Sequence, residues 1–197
     1  MKTAGAVIGG LIVVLLLFAL IFGGMYVSHR NEMVRLNETV KSNWAQVDVV
    51  LQRRSDLIPN LVETVKGFAA QEQTVFDDIA KARTQYLNAP TPSDKIAASN
   101  QLYGLEQKVL ALAENYPQLK SNEQFLRLQD ELAGTENRIA VERKRYNDSI
   151  QAYNTYIAIF PNNIYAGWAG FQRNNAYFEA SAASRETPKV QFPGPNR

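Results

Sequence analysis

Between Ala4 and Val27 the chain carries no charged side chain, and this stretch limits what it can fold into. As a helix rising 1.5 Å per residue, it would reach about 36 Å. That exceeds the roughly 30 Å hydrocarbon core of a bilayer, so the segment can cross one with some tilt. A cleaved signal peptide is the competing reading. Its apolar stretch is normally shorter, however, and the Gly23-Gly24-Met25-Tyr26 end offers no Ala-x-Ala-like site. Residues 4–27 therefore read as an uncleaved, single transmembrane helix behind a short tail, residues 1–3. The expected location is the inner (cytoplasmic) cell membrane. Arg30, Arg35 and Lys41 follow the span, against Lys2 and the amino terminus before it, which leans towards a cytoplasmic domain. Within the span, Gly5-x-x-x-Gly9 has the small-residue spacing that lets two membrane helices approach closely, so Gly5 and Gly9 are expected self-association residues.

Composition removes most specific chemistry. There is no Cys, and His29 is the single His. Disulfides, thiolate nucleophiles, iron–sulfur clusters and zinc ribbons are excluded, as is any site that needs two imidazoles. A net charge of +2 gives no pull towards nucleic acid. Beyond the span lie about 170 residues, enough for one good core.

Those residues read as helix almost throughout, with Gly and Pro gathered at a few breaks. Met33, Val40, Trp44, Val47 and Leu51 form the first stripe, which Asn37 joins and which ends near Arg54. With Asp56 as N-cap, Pro59 falls at the third helical position, where a missing N–H costs nothing, so a second helix is expected to start there. A kink in one continuous helix is the alternative. Steps of four and three then join Leu61, Val65, Phe68, Glu72, Val75, Ile79, Ala82 and Tyr86. Thr91, Pro92 and Asp94 make a capped start for the next helix. Its stripe of Ala98, Leu102, Leu105, Val109, Leu112 and Tyr116 ends at Pro117. Ser121 with Gln124 resembles a capping box opening a last, long helix, from Phe125 through Leu128, Leu132, Thr135, Ile139, Glu142, Tyr146, Ile150, Tyr153 and Ile157 to Phe160. Short connections make neighbouring helices antiparallel. The expected fold class is all-α: an N-terminal transmembrane helix, an antiparallel up-down-up-down four-helix bundle over residues 28–180 with a short C-terminal helix, and a flexible tail over 181–197.

This topology returns the chain to the membrane after Phe160. Residues 163–178 are expected to form a membrane-proximal helix whose Ile164, Tyr165, Trp168 and Phe171 touch lipid or a partner. Closing the open end of the bundle is the alternative use of these aromatics. Asn37, Glu72, Thr135 and Glu142 are polar positions in apolar stripes, costly unless paired, and some of them are expected to meet across a subunit interface. Arg53-Arg54 with Asp56 is a candidate docking knob at the membrane-distal turn.

Several separated motifs resemble the LemA family of bacterial proteins. They are Val40-Lys41-Ser42-Asn43-Trp44-Ala45-Gln46-Val47, the run Leu51–Gly67 with Arg53-Arg54-Ser55-Asp56-Leu57-Ile58-Pro59-Asn60 at its centre, Glu114-Asn115-Tyr116-Pro117-Gln118-Leu119-Lys120, Gly134-Thr135-Glu136-Asn137-Arg138-Ile139, Tyr146-Asn147, Tyr153-Asn154, Phe160-Pro161 and Pro188-Lys189-Val190-Gln191-Phe192. The likeness covers nearly the whole chain. It implies an N-terminal membrane helix, a helical bundle and a short amino terminus outside the cell. It supplies no reaction and no catalytic residues, while the frequent neighbourhood of membrane-protease and envelope-protein genes hints at membrane quality control.

The residues supply no reaction either. No nucleophile–base pair, Glu-x-x-His motif or phosphate loop is present. The expectation is a non-enzymatic membrane scaffold or interaction module with no catalytic residue, cofactor or metal. Its partners would be the lipid bilayer and a second copy or another membrane protein, and not nucleic acid. One alternative is a membrane-bound enzyme or metal-dependent factor built on Glu72 and Glu142. Another is a relay passing membrane state to the bundle.

Overall fold

The computed structural model describes residues 2–179, with side chains described from Gly9 onward. The tail assigned to 181–197, the Pro188–Phe192 motif and the surroundings of Gly5 lie outside the described residues. All regular structure among those described is helical, beginning with one long apolar N-terminal helix.

Helix α1 (Lys2–Lys66) is unbroken for 65 residues, about 98 Å of rod. From Gly9 its apolar stretch is bare: Leu11 to Leu17, Phe18, Leu20, Ile21 and Phe22 are all exposed. From Met33 onward one face goes under, through Val40, Val47, Leu51, Ile58, Leu61 and Val65, each fully or almost fully buried. The expected helix end at Arg54 and new start at Asp56 are corrected: the helix runs straight through Pro59. Proline in a helix interior strips the carbonyl four residues back of its partner. Here that carbonyl is Ser55, and the Arg83 side chain supplies the missing donor, Nε to O at 3.0 Å. The turn comes later, at Gly67–Glu72, and so splits the stripe read as continuous from Leu61 to Tyr86.

Helices α2 (Gln73–Asn88) and α3 (Pro92–Leu112) follow, joined by a short link. Thr91 caps α3 as its sequence implied, accepting from the Asp94 N–H at 3.2 Å. Three contacts lay these two helices on the far half of α1: Lys66 over the Phe76 ring, Arg83 on Ser55, and Lys95 with Asp48 at 2.7 Å. Helix α3 stops at Leu112, short of Tyr116. Pro117 opens a single further turn, α4 (Pro117–Lys120). The capping box expected at Ser121 is also corrected. Its hydroxyl turns back to the Pro117 and Gln118 carbonyls, and Asn122 instead caps the next helix, accepting from the Phe125 N–H at 3.0 Å.

Helix α5 (Glu123–Ala158) lies along α1 over nearly its whole length. Arg53 meets Glu131, Asn43 donates to the Arg145 carbonyl, Trp44 packs on Tyr146, and His29 bonds Tyr156. Residue numbers thus fall along α1 as they rise along α5. Ile139, Tyr146 and Ile150 from α5 join Val47, Leu51, Ile79, Tyr86, Leu102 and Val109 in a single apolar core. Each such buried side chain contributes about 1.5–3 kcal/mol.

Helix α6 (Asn162–Ala169) is half as long as the expected 163–178. Gly170 ends it with φ +75°, a left-handed conformation that side-chain-bearing residues rarely adopt. From Phe171 the chain runs as a strap back along α5, its Gln172, Asn174 and Phe178 carbonyls accepting in turn from Tyr153, Asn154 and Asn147. The Asn154 amide brackets Asn174, donating to its carbonyl (2.7 Å) and accepting from its N–H (2.8 Å). Asn147 does the same to Phe178 at 2.8 and 3.0 Å. Two asparagines seven residues apart therefore stand in for a neighbouring strand.

Candidate membrane-proximal site

The end of α5 and all of α6 close onto α1 where its apolar stretch finishes. The Asn162 side chain donates to the Tyr156 carbonyl at 3.1 Å, fixing the turn between the two helices. Tyr165 then enters as a wedge. Its ring lies 6.1 Å edge-on from Tyr26 and stacks on His29 at 5.0 Å, and the residue is only 7% exposed. His29 Nδ1 and the Tyr156 hydroxyl are 3.0 Å apart. Burial, with the nearby Glu32 charge, holds the Tyr156 phenol above its ordinary pKa. The one imidazole of the chain thus ties α1, α5 and α6 together.

Around that wedge, several apolar side chains point outward. Phe160 is 80% exposed, Trp168 73%, Ile159 50% and Ile164 42%. Of the four residues expected at the membrane, the structure therefore separates Ile164 and Trp168, which face out, from Tyr165, which is interior, and Phe171, which is half-buried at the root of the strap. Ile159 and Phe160 were missed as members of this group. A signal for them was present: residues 149–172 contain no Asp, Glu, Lys or Arg, the longest charge-free run after the N-terminal one.

The polar stripe residues do not come together. Asn37 is half-buried on α1. Glu72 lies at the N-cap position of α2, at the far end, with the Tyr116 hydroxyl 3.4 Å away. The Thr135 hydroxyl is satisfied within its own helix by the Glu131 carbonyl at 2.8 Å. Glu142 pairs with Arg145 at 2.8 Å, beside the level of Trp44. Glu72 and Glu142, posed as a metal or acid–base pair, are thus on different parts of the molecule. Nothing lies within 4 Å of a Cβ built on Gly9, as is also true of Gly10, Gly23 and Gly24.

Arg54 is the largest correction among these residues. Far from being a knob at a turn, it lies inside the fold at 4% exposure. Its guanidinium grips Glu106 through two hydrogen bonds (2.7 and 2.9 Å), reaches Glu136 with a third, and sits 4.2 Å over the Tyr103 ring. Burial alone would lower its pKa; the hydrogen bonds and charge of Glu106, then Glu136, outweigh that and raise it. One side chain thereby joins α1, α3 and α5. Arg53, its neighbour, is exposed and pairs with Glu131 at the surface. Arg143 lies over the Phe178 ring at 4.7 Å, its pKa lowered by burial and by the charge of Arg54. A polar groove of about 340 Å³ opens beside Arg54, lined by Tyr103, Gln107, Gln129 and Asn137 among others, and no cluster of metal-ligating side chains occurs among the described residues.

The fold and site define a class: an all-helical protein whose folded part grows out of a long apolar N-terminal helix and closes again against its exit. The sequence profile of the LemA family matches residues 43–192, and the chain belongs to that family. Among curated proteins it is similar to magnetosome protein MamQ 2 of Paramagnetospirillum magneticum, 26% identical over 91% of this chain and 75% of that one. Magnetosome protein MamQ of Magnetospirillum gryphiswaldense is 25% identical over 81% and 68%. Protein LemA of Metamycoplasma hominis is 22% identical over 84% and 75%.

Proposed function

We propose that this chain is a single-pass, membrane-anchored, non-catalytic scaffold. Helix α1 crosses the inner membrane, and the remainder stands on the cytoplasmic side as an antiparallel up-down-up-down four-helix bundle that presents its flanks to a second copy or to another membrane protein. The observation that carries this reading is the continuity of α1, which passes from a bare apolar stretch into the core without a joint. Anchor and folded part are then one rigid rod. The opposed numbering of the α1–α5 contacts supports the topology, and the Arg30, Arg35 and Lys41 side supports the orientation. Two of the relatives are named for an organelle and not for a reaction, which fits a structural part in membrane organisation, quality control or envelope maintenance.

Alkaline carbonate extraction of native membranes, with protease treatment of intact cells and of inverted vesicles, tests the proposal. The expected result is retention in the membrane and cleavage of the bundle only in inverted vesicles. Release by carbonate, or a mature protein beginning after Met25, overturns the anchor. Crosslinking in the same membranes tests self-association, and monomer alone at every linker length removes it.

The same continuity favours one second reading, a relay in which α1 passes rotation from the bilayer to the bundle. One alanine inserted after Val27 turns the two halves by about 100° against each other. A relay loses function on this insertion and a passive scaffold does not.

A further inference from the structure

Taking the transmembrane reading of α1 as its basis, we propose that Ile159, Phe160, Ile164 and Trp168 form a lipid-facing edge that beds the membrane-side end of the folded part in the headgroup–acyl boundary of the same bilayer. Position is the first argument. Trp168 packs edge-on against Tyr165 at 5.9 Å, and Tyr165 lies 6.1 Å from Tyr26, so the indole sits within about 12 Å of a ring that lies one residue before the end of the uncharged stretch. A side chain there is already at the level where a helix leaves the hydrocarbon.

Chemistry is the second. The edge belongs to the second charge-free run of the chain, residues 149–172, so no fixed charge must be dragged towards the acyl chains. Trp and Tyr partition to this boundary because their rings are amphipathic, and Phe and Ile add apolar area below them. Continuity is the third: α1 stays exposed at Phe22, Met25 and Val27 up to the level of the Tyr26–Tyr165 contact, and the sequence has no Asp, Glu, Lys or Arg over residues 3–29 or 149–172. Single exposed apolar side chains are ordinary on a water-facing surface, as Val49 at 66% and Val141 at 50% show, but four gathered between residues 159 and 168 mark an interaction surface. The edge also explains why Tyr165 is turned inward: it fixes the pitch of α6 against α1, and its neighbours on the outer side are then carried to one level.

The experiment uses the full chain in phosphatidylcholine vesicles, with bromines placed either near the headgroups or deep in the acyl chains. Trp44 and Trp168 are the two tryptophans, and Trp44 packs against Tyr146 and Phe178 away from this edge. In Trp44→Phe, shallow bromines should remove roughly half of the emission, and deep ones much less. Wild-type protein and Trp168→Phe serve as a second pair, keeping the measurement independent of whether Trp44→Phe folds. Quenching should be present in the first and absent in the second. Emission untouched by either lipid in a protein that floats with the vesicles overturns the edge and leaves the anchor standing. Blue-shifted but unquenched emission assigns the edge to a protein partner or a second copy and overturns it equally. Failure to float overturns the anchor and the edge together.

Discussion

Replacing Arg54 by methionine should cost about 3–5 kcal/mol of folding stability, because the charge left behind is almost wholly buried and loses its partner. Glu106 is 1% exposed, and both of its oxygens are taken by Arg54 at 2.7 and 2.9 Å. With the guanidinium gone, the carboxylate must either stay charged in an apolar setting or take up a proton, and either route penalises the folded state. Glu136 suffers less, since its side chain keeps 36% exposure and can be solvated. Glu136→Gln should therefore cost only about 1 kcal/mol. The double variant Arg54→Met with Glu106→Leu removes both charges and fills the space, so it should recover most of the loss. Urea unfolding of the full chain in detergent, followed by far-ultraviolet circular dichroism, gives all four corners of the cycle. A coupling of about 2 kcal/mol or more between positions 54 and 106 is expected. Additive losses, or an Arg54→Met penalty below about 1 kcal/mol, would show that water reaches Glu106 and that the burial argument is wrong.

Other consequences follow from single contacts. Arg83→Met should destabilise by about 1–2 kcal/mol in the wild-type background and by less in Pro59→Ala, where the Ser55 carbonyl regains a helical donor; equal losses in both would refute the compensation. Burial lifts the Tyr146 phenol to about 12 and also raises Tyr86, so folding stability is complete below pH 10 and is lost as pH climbs towards 12. Tyr146→Phe should retain about 3 kcal/mol more than wild type at the top of that window, measured by alkaline unfolding curves. Replacing Asn147 and Asn154 together by alanine should detach the strap, seen as faster tryptic cleavage after Arg173 and a red shift of Trp44 emission; unchanged cleavage would mean that aromatic packing alone holds it.

How much of this could be read from residue order depends on how far each signal reaches. The Thr91 cap and the exposed apolar stretch from Gly9 are local and appear where their own residues imply, and the stripes hold within each helix, though the one from Leu61 to Tyr86 is cut by the turn at Gly67–Glu72. At Pro59 the structure takes the alternative of one continuous helix over a new start, because the proline's cost is offset by a group 24 positions away in sequence: no local pattern shows that Arg83 will bring a donor to Ser55. Ser121 was misjudged for the opposite reason, a competition settled one residue over, where its hydroxyl turns back to the Pro117 and Gln118 carbonyls and Asn122 takes the cap.

Arg54 is the instructive failure. Read alone, two adjacent arginines before an aspartate look like surface charge near a helix end, and the reading is right for Arg53. A helix that does not stop places consecutive residues about 100° apart, so one faces water and the other the interior. Once Pro59 is mistaken for a helix start, Arg54 cannot be placed inside, and Glu106 and Glu136 lose their reason for being where they are. The outward-facing apolar group near α6 shows the same dependence. Helical spacing groups Ile164, Trp168 and Phe171, with Tyr165 added as an aromatic, but a left-handed Gly170 ends that helix before Phe171. The charge-free run over residues 149–172 takes in Ile159, Phe160, Ile164 and Trp168 however the segment is wound, but it also takes in Ile150, Tyr153 and Ile157, which are buried on α5.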